Sequence, residues 1–167
     1  MSKTVKEKLL SLTSARYKHL LVAVETFKEG EDPLGILLRV HLTSETVLEE
    51  LISLVFEEKA KPILSLALTY RQKLDLVSQL EIDDDWPLLP DYIVGSLRKL
   101  NKLRNQLVHQ LNGSIDNNQV IDLFMNIDQL YGDMSKDNIH INLKRYAFFV
   151  LGTMLPSFEV AGPEEDV

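Results

Sequence analysis

Leu97-Arg98-Lys99-Leu100-Asn101-Lys102-Leu103-Arg104-Asn105-Gln106-Leu107-Val108-His109-Gln110-Leu111 is the stretch whose reading decides the fold. Leu97, Leu100, Leu103, Leu107 and Leu111 recur at steps of three and four, the period of one helix face. The segment therefore presses a leucine stripe into a core. On a wheel of about 100° per residue, Arg104 falls only about 40° from the middle of that stripe, with Asn101 and Val108 just beyond it. A cation so close to buried surface calls for a partner, and packing alone does not call for a cation. Asn105 and His109 stand one turn apart and can meet. Arg104 and His109 lie about 140° apart on a straight helix and share no face. If the two act together, the helix must end near His109 or a second subunit must complete the site.

Working outward, the rest of the chain is also helical in pattern. Thr4 and Glu7 have capping-box spacing and open a first helix, with Tyr17, Leu20, Leu21, Val24 and Phe27 on one side and Gly30 at its end. Asp32 caps a second, with Pro33 at its first position, running through Ile36, Val40, Val47, Leu51 and Val55 to about Glu57 with room for a bend at Thr43-Ser44. Its polar side carries His41, Glu45 and Glu49 at four-residue steps. A third helix is expected over Ile63–Leu80. The acidic, proline-containing segment Glu81–Pro90 reads as a loop. The motif helix spans Asp91 to Asn112, where Gly113 stops it. Asp116 and Gln119 cap a fifth helix reaching Tyr131, and a sixth covers Ile139 to Leu155. No repeat and no convincing strand is found. The pattern predicts an all-α, single-domain bundle of about five to six helices over residues 1–158, with an acidic flexible tail over 159–167.

Composition narrows the function classes. The 167 residues are 45% apolar, enough for one sizeable core. A net charge of −7 argues against coating nucleic acid by bulk electrostatics, yet Arg98, Lys99, Lys102 and Arg104 form a local basic cluster. With no cysteine, disulfides, thiolate zinc sites and a cysteine nucleophile are excluded. No signal peptide or membrane-spanning run is read, so a cytoplasmic protein without membrane attachment is expected. The glycines are scattered, leaving no phosphate loop, and no Ser-His-Asp order stands out. The His41, Glu45, Glu49 row reads as an ordinary helix surface, and the Asp83 to Asp85 run lacks the glycine and closing glutamate of a calcium loop. No metal and no cofactor is expected.

The run from Leu97 to His109 resembles the signature helix of the HEPN superfamily, in which an arginine, usually followed by a polar residue, precedes a histidine by four to six positions. Here those positions are Arg104, Asn105 and His109. The helices His41–Val55, carrying Glu45, and Tyr70–Leu80 are similar to the same group, and the arrangement also resembles a HEPN-like branch that includes the mannitol operon repressor family. The resemblance covers about Ile36 to Leu111.

The resemblance implies a four- or five-helix bundle that forms a homodimer, with motif helices facing each other, and a metal-independent ribonuclease chemistry. Arg104 would hold the scissile phosphate, His109 would transfer protons, and Asn105 would orient His109. Asn101 and Glu45 stand as supporting residues, with Glu45 the candidate partner of Arg104, and Arg98 and Lys102 as contacts to the RNA backbone. Many toxin members carry a tyrosine two positions after the histidine, and Leu111 occupies that place, so modification there by an antitoxin is not supported. Other HEPN-like branches are non-catalytic regulators or adaptors that work through protein partners. The remaining alternative is a structural bundle in which Arg104 is a satisfied core cation.

Overall fold

The computed structural model describes Phe27 and residues 30–83, 86–110 and 113–154. The expected first helix and the acidic tail lie outside the described residues, although Gly30, at φ +94°, makes a turn where that helix was expected to stop.

The longest element is α1, Pro33–Phe56. The Asp32 carboxylate accepts from Leu34 N at 3.2 Å, and Pro33 occupies the first turn, where its missing N–H costs nothing. No break occurs at Thr43-Ser44. Instead, Thr43 Oγ1 donates to the Arg39 carbonyl and Ser44 Oγ to that of His41, so both hydroxyls are satisfied inside the helix. Ile36, Leu37, Val40, Val47, Leu48, Leu51 and Ile52 form its buried stripe.

A single third helix does not form. The chain makes a 3-10 turn at Glu57–Lys59, a short α2 at Ala60–Leu64, and then α3 at Tyr70–Val77. The break is local chemistry: Ala67 takes a left-handed φ of +52°. Beyond it, Thr69 and Gln72 close a capping box, with Thr69 N donating to Gln72 Oε1 at 2.9 Å and Gln72 N to Thr69 Oγ1 at 3.3 Å. The expected loop after it holds a small antiparallel ribbon, β1 Glu81–Asp83 with β2 Trp86–Pro87. Leu88 N donating to the Leu80 carbonyl at 2.7 Å extends the same pairing.

The motif helix is α4, Asp91–Val108. Its leucine stripe is as the periodicity demands, with Leu97, Leu100, Leu103 and Leu107 all buried. The expected fifth helix is only 6 residues long, α5 Asn117–Asp122, opened by the Asp116/Gln119 capping box. Met125 and Asn126 at φ +55° and +70° then end helical continuation and seat Phe124 in the core. Two 3-10 turns, Asp128–Tyr131 and Met134–Lys136, lead to α6, Ile139–Met154.

The result is an all-α bundle of one core. α1 packs against α3, α4 and α6, and α4 in turn contacts α3 and α6. Tyr146 of α6 is fully buried and shares a 2.9 Å hydrogen bond with Ser96 of α4. Around that joint Phe124 stacks on Phe149 and meets Tyr146 edge to face. This packing fixes one side of α4 and leaves the other, bearing Arg98, Lys102, Asn105 and His109, exposed beside α3. Among the described residues no helix is long and apolar enough to cross a membrane.

Candidate functional site

α4 stops where the site needs a decision. Val108 is its last residue, and His109 is the C-cap at φ −86°, ψ −4°, with Gln110 N donating to the Leu107 carbonyl. The chain then passes so close over the helix end that a Cβ at Gly113 would stand 2.7 Å from the Leu107 carbonyl oxygen. His109 therefore sits exposed at the rim of the bundle.

Arg104 is half-buried, and the side-chain partner seen for it among the described residues is an amide. Its Nη1 donates to Asn105 Oδ1 at 2.9 Å. Asn105 Oδ1 accepts from the adjacent guanidinium, and the expected carboxylate partner is engaged elsewhere. Glu45 is taken by a different cation: Lys73 Nζ of α3 donates to Glu45 Oε1 at 2.7 Å and to Glu49 Oε1 at 2.5 Å. Lys73 is nearly buried, and two carboxylates are what make an ammonium tolerable there. Burial alone would lower its pKa, but the hydrogen bonds and charges of Glu45 and Glu49 outweigh that and raise it.

The third member of the His41, Glu45, Glu49 row turns inward. His41 is buried, stacks on the Tyr70 ring at 4.2 Å between centroids, and donates from Nε2 to Asn101 Oδ1 at 3.1 Å. The donor is assigned from chemistry, since a carbonyl oxygen only accepts. Tyr70 in turn shares a 2.9 Å hydrogen bond with Ser44. Burial lowers the His41 pKa. The Asn101 hydrogen bond opposes this, the Arg104 charge adds to it, and Glu45 works against it. His41 is accordingly a neutral donor at pH 7.

These side chains line two adjoining clefts between α3 and α4. The larger, about 610 Å³, has Leu74 and Tyr70 among its walls, with Arg98, Lys102, Asn105 and His109 on the α4 side. The smaller, about 440 Å³, is lined by His41 and Glu45 from α1 and by Arg104 from α4. Tyr70, Arg71, Asn101 and Asn105 line both. Arg104 and His109 thus fall on neighbouring clefts of one chain, as their 140° separation on the helix requires, with Asn101 and Asn105 common to both.

The basic cluster also divides. Lys99 points away and holds Asp122 of α5 at 2.7 Å. Arg98 stays at the cleft, paired to Asp75 of α3 at 3.0 Å, and Arg71 approaches the same carboxylate at 3.6 Å. Lys102 is exposed on the larger cleft. His41, Tyr70, Arg71 and Lys73 were not assigned to this site by spacing along α4. The signal for one of them, His41, was its place in a row with Glu45 and Glu49 on one face of α1, which identified a polar helix face but not what packs on it.

Comparison with protein-family models, curated proteins and solved structures gives no match.

Proposed function

We propose that the chain is a metal-independent endoribonuclease of the HEPN type, acting on single-stranded or looped RNA, with Arg104 and His109 as the reacting pair of a homodimer. The observation that carries this reading is the pair of adjoining clefts, which set a guanidinium and an imidazole on either side of shared amide and arginine side chains. In this chemistry His109 accepts the proton of a ribose 2′-hydroxyl. The 2′-oxygen attacks phosphorus, the bond to the 5′-oxygen breaks, the leaving oxygen takes up a proton from solvent, and His109 returns its proton to solvent. The products carry a 2′,3′-cyclic phosphate and a 5′-hydroxyl. Arg104 offsets the charge that grows on the non-bridging oxygens. Asn105 holds the guanidinium by its Oδ1, a positioning role different from orienting the histidine.

A second reading is a non-catalytic HEPN-like regulator or adaptor, similar to the mannitol operon repressor group. The net charge of −7 favours it, because a polyanion is attracted only locally. Host growth during expression separates the two. A ribonuclease slows growth, and His109→Ala relieves the effect; equal growth with both proteins supports the regulator.

A further inference from the structure

Arg71 was not part of the motif, yet it lies on the wall common to both clefts. It comes from α3, opposite the motif helix, and its side chain is 80% exposed. Its contact with Asp75 is loose, at 3.6 Å, while Asp75 has a closer partner in Arg98 at 3.0 Å. A guanidinium held this weakly at the surface keeps most of its donors available.

The shared wall also carries amide groups held by neighbouring side chains. His41 engages Asn101 Oδ1, which leaves the Asn101 Nδ2 hydrogens for the cleft side. The larger cleft adds a different chemistry, with the exposed Gln106 amide beside Arg98 and Lys102 on its wall and the buried Leu74 and Tyr70 beneath. Side-chain amides suit the hydrogen-bonding edge of a nucleobase, and flanking cations suit the phosphates attached to it. A volume of about 610 Å³ accommodates one nucleotide, and the 440 Å³ cleft beside it accommodates another.

Resting on the ribonuclease reading, we infer that the two clefts are consecutive nucleotide subsites for one RNA strand, and that Arg71 binds the phosphate linking them across the shared wall. Arg71 reaches that phosphate from α3 while Arg104 reaches it from α4. The nucleotide on one side of the linkage occupies the larger cleft, beside Gln106 and Lys102.

The test uses the full chain carrying His109→Ala, so that RNA is bound without being cut, and a fluorescently labelled single-stranded RNA hexamer titrated at several salt concentrations. Adding Arg71→Ala weakens binding roughly three- to tenfold and reduces the slope of log K against log salt by about 0.7, the loss of one phosphate contact to a single strand. Arg71→Lys recovers most of the slope, because the charge is kept. Lys136→Ala, which removes an exposed cation paired to Asp133 outside both clefts, leaves affinity and slope unchanged. Unaltered affinity and slope in Arg71→Ala overturn the subsite assignment alone. Absence of RNA binding by the His109→Ala parent at low salt overturns the subsite and the ribonuclease reading together.

Discussion

His41 of α1 donates a hydrogen bond from Nε2 to Asn101 Oδ1 of α4 at 3.1 Å, joining two helices whose residues are sixty positions apart in the chain. The same imidazole lies flat on Tyr70 of α3, so one side chain ties together the three helices that surround the site. The joint is structural, but the group it fixes, Asn101, faces the clefts.

His41→Ala removes both the stack and the hydrogen bond and lowers the unfolding free energy by about 2 kcal/mol at pH 7.5. The folded-state pKa of His41 is depressed, chiefly by burial. Its contribution is therefore complete above the unfolded-state value of about 6.5 and declines as pH falls through the folded value, by at most about 1.4 kcal/mol per pH unit. Urea unfolding at pH 7.5 and 5.5 should show the gap between wild type and His41→Ala narrowing at the lower pH. A gap that widens contradicts the buried, neutral assignment.

Lys73→Met keeps the aliphatic stem but leaves Glu45 and Glu49 facing each other with no cation. Thermal unfolding should report a loss of about 1 to 3 kcal/mol, discounted from a fully buried pair because both carboxylates reach solvent. Adding Glu45→Gln to Lys73→Met should recover part of it. The raised lysine pKa means that this contribution persists through neutral pH and is lost only as pH rises above the ordinary lysine range.

Tyr146→Phe deletes a hydroxyl buried between α6 and α4 and leaves Ser96 Oγ without its 2.9 Å partner. A cost of about 1 kcal/mol is expected in urea unfolding. Burial also raises the phenol pKa. Alkaline titration followed by tyrosinate absorbance should therefore show this ring ionising only as the bundle unfolds.

Much of the fold was legible because leucines at steps of three and four admit one reading. Leu97, Leu100, Leu103 and Leu107 are all buried as that pattern requires. The Asp32-Pro33 and Asp116/Gln119 starts were equally readable, since each supplies a named acceptor to an orphan N–H. Helix stops were harder. Thr69 and Gln72 have capping-box spacing within a stretch whose apolar content suggested one long helix, and local capping won over periodicity. At Met125 and Asn126, the left-handed turn is bound up with placing Phe124 in the core, a tertiary demand that no local signal expresses. Of the site, the residues on α4 could be read from the wheel. The partner of Glu45 could not, because Lys73 reaches it only once α3 packs on α1, whereas Arg104 turns to its own neighbour Asn105.

Light scattering should give twice the 19.1 kDa chain mass if two α4 faces complete the site between them. Mixing Arg104→Ala with His109→Ala chains should then restore some cleavage, since a mixed dimer retains one intact pair. A monomer at working concentration would require both groups to act from one chain, across the wall that Asn105 and Arg71 share.

The most direct measurement of the central claim is the initial rate at which purified protein cuts a defined single-stranded RNA in the presence of a chelator, with product ends identified by mass. Wild type should yield 2′,3′-cyclic phosphate ends, an RNA with 2′-deoxyribose at the cut position should resist, and Arg104→Ala and His109→Ala should each be slower by about a hundredfold or more. Cleavage that survives both substitutions, or no cleavage by the wild type on any single-stranded RNA, would contradict the assignment.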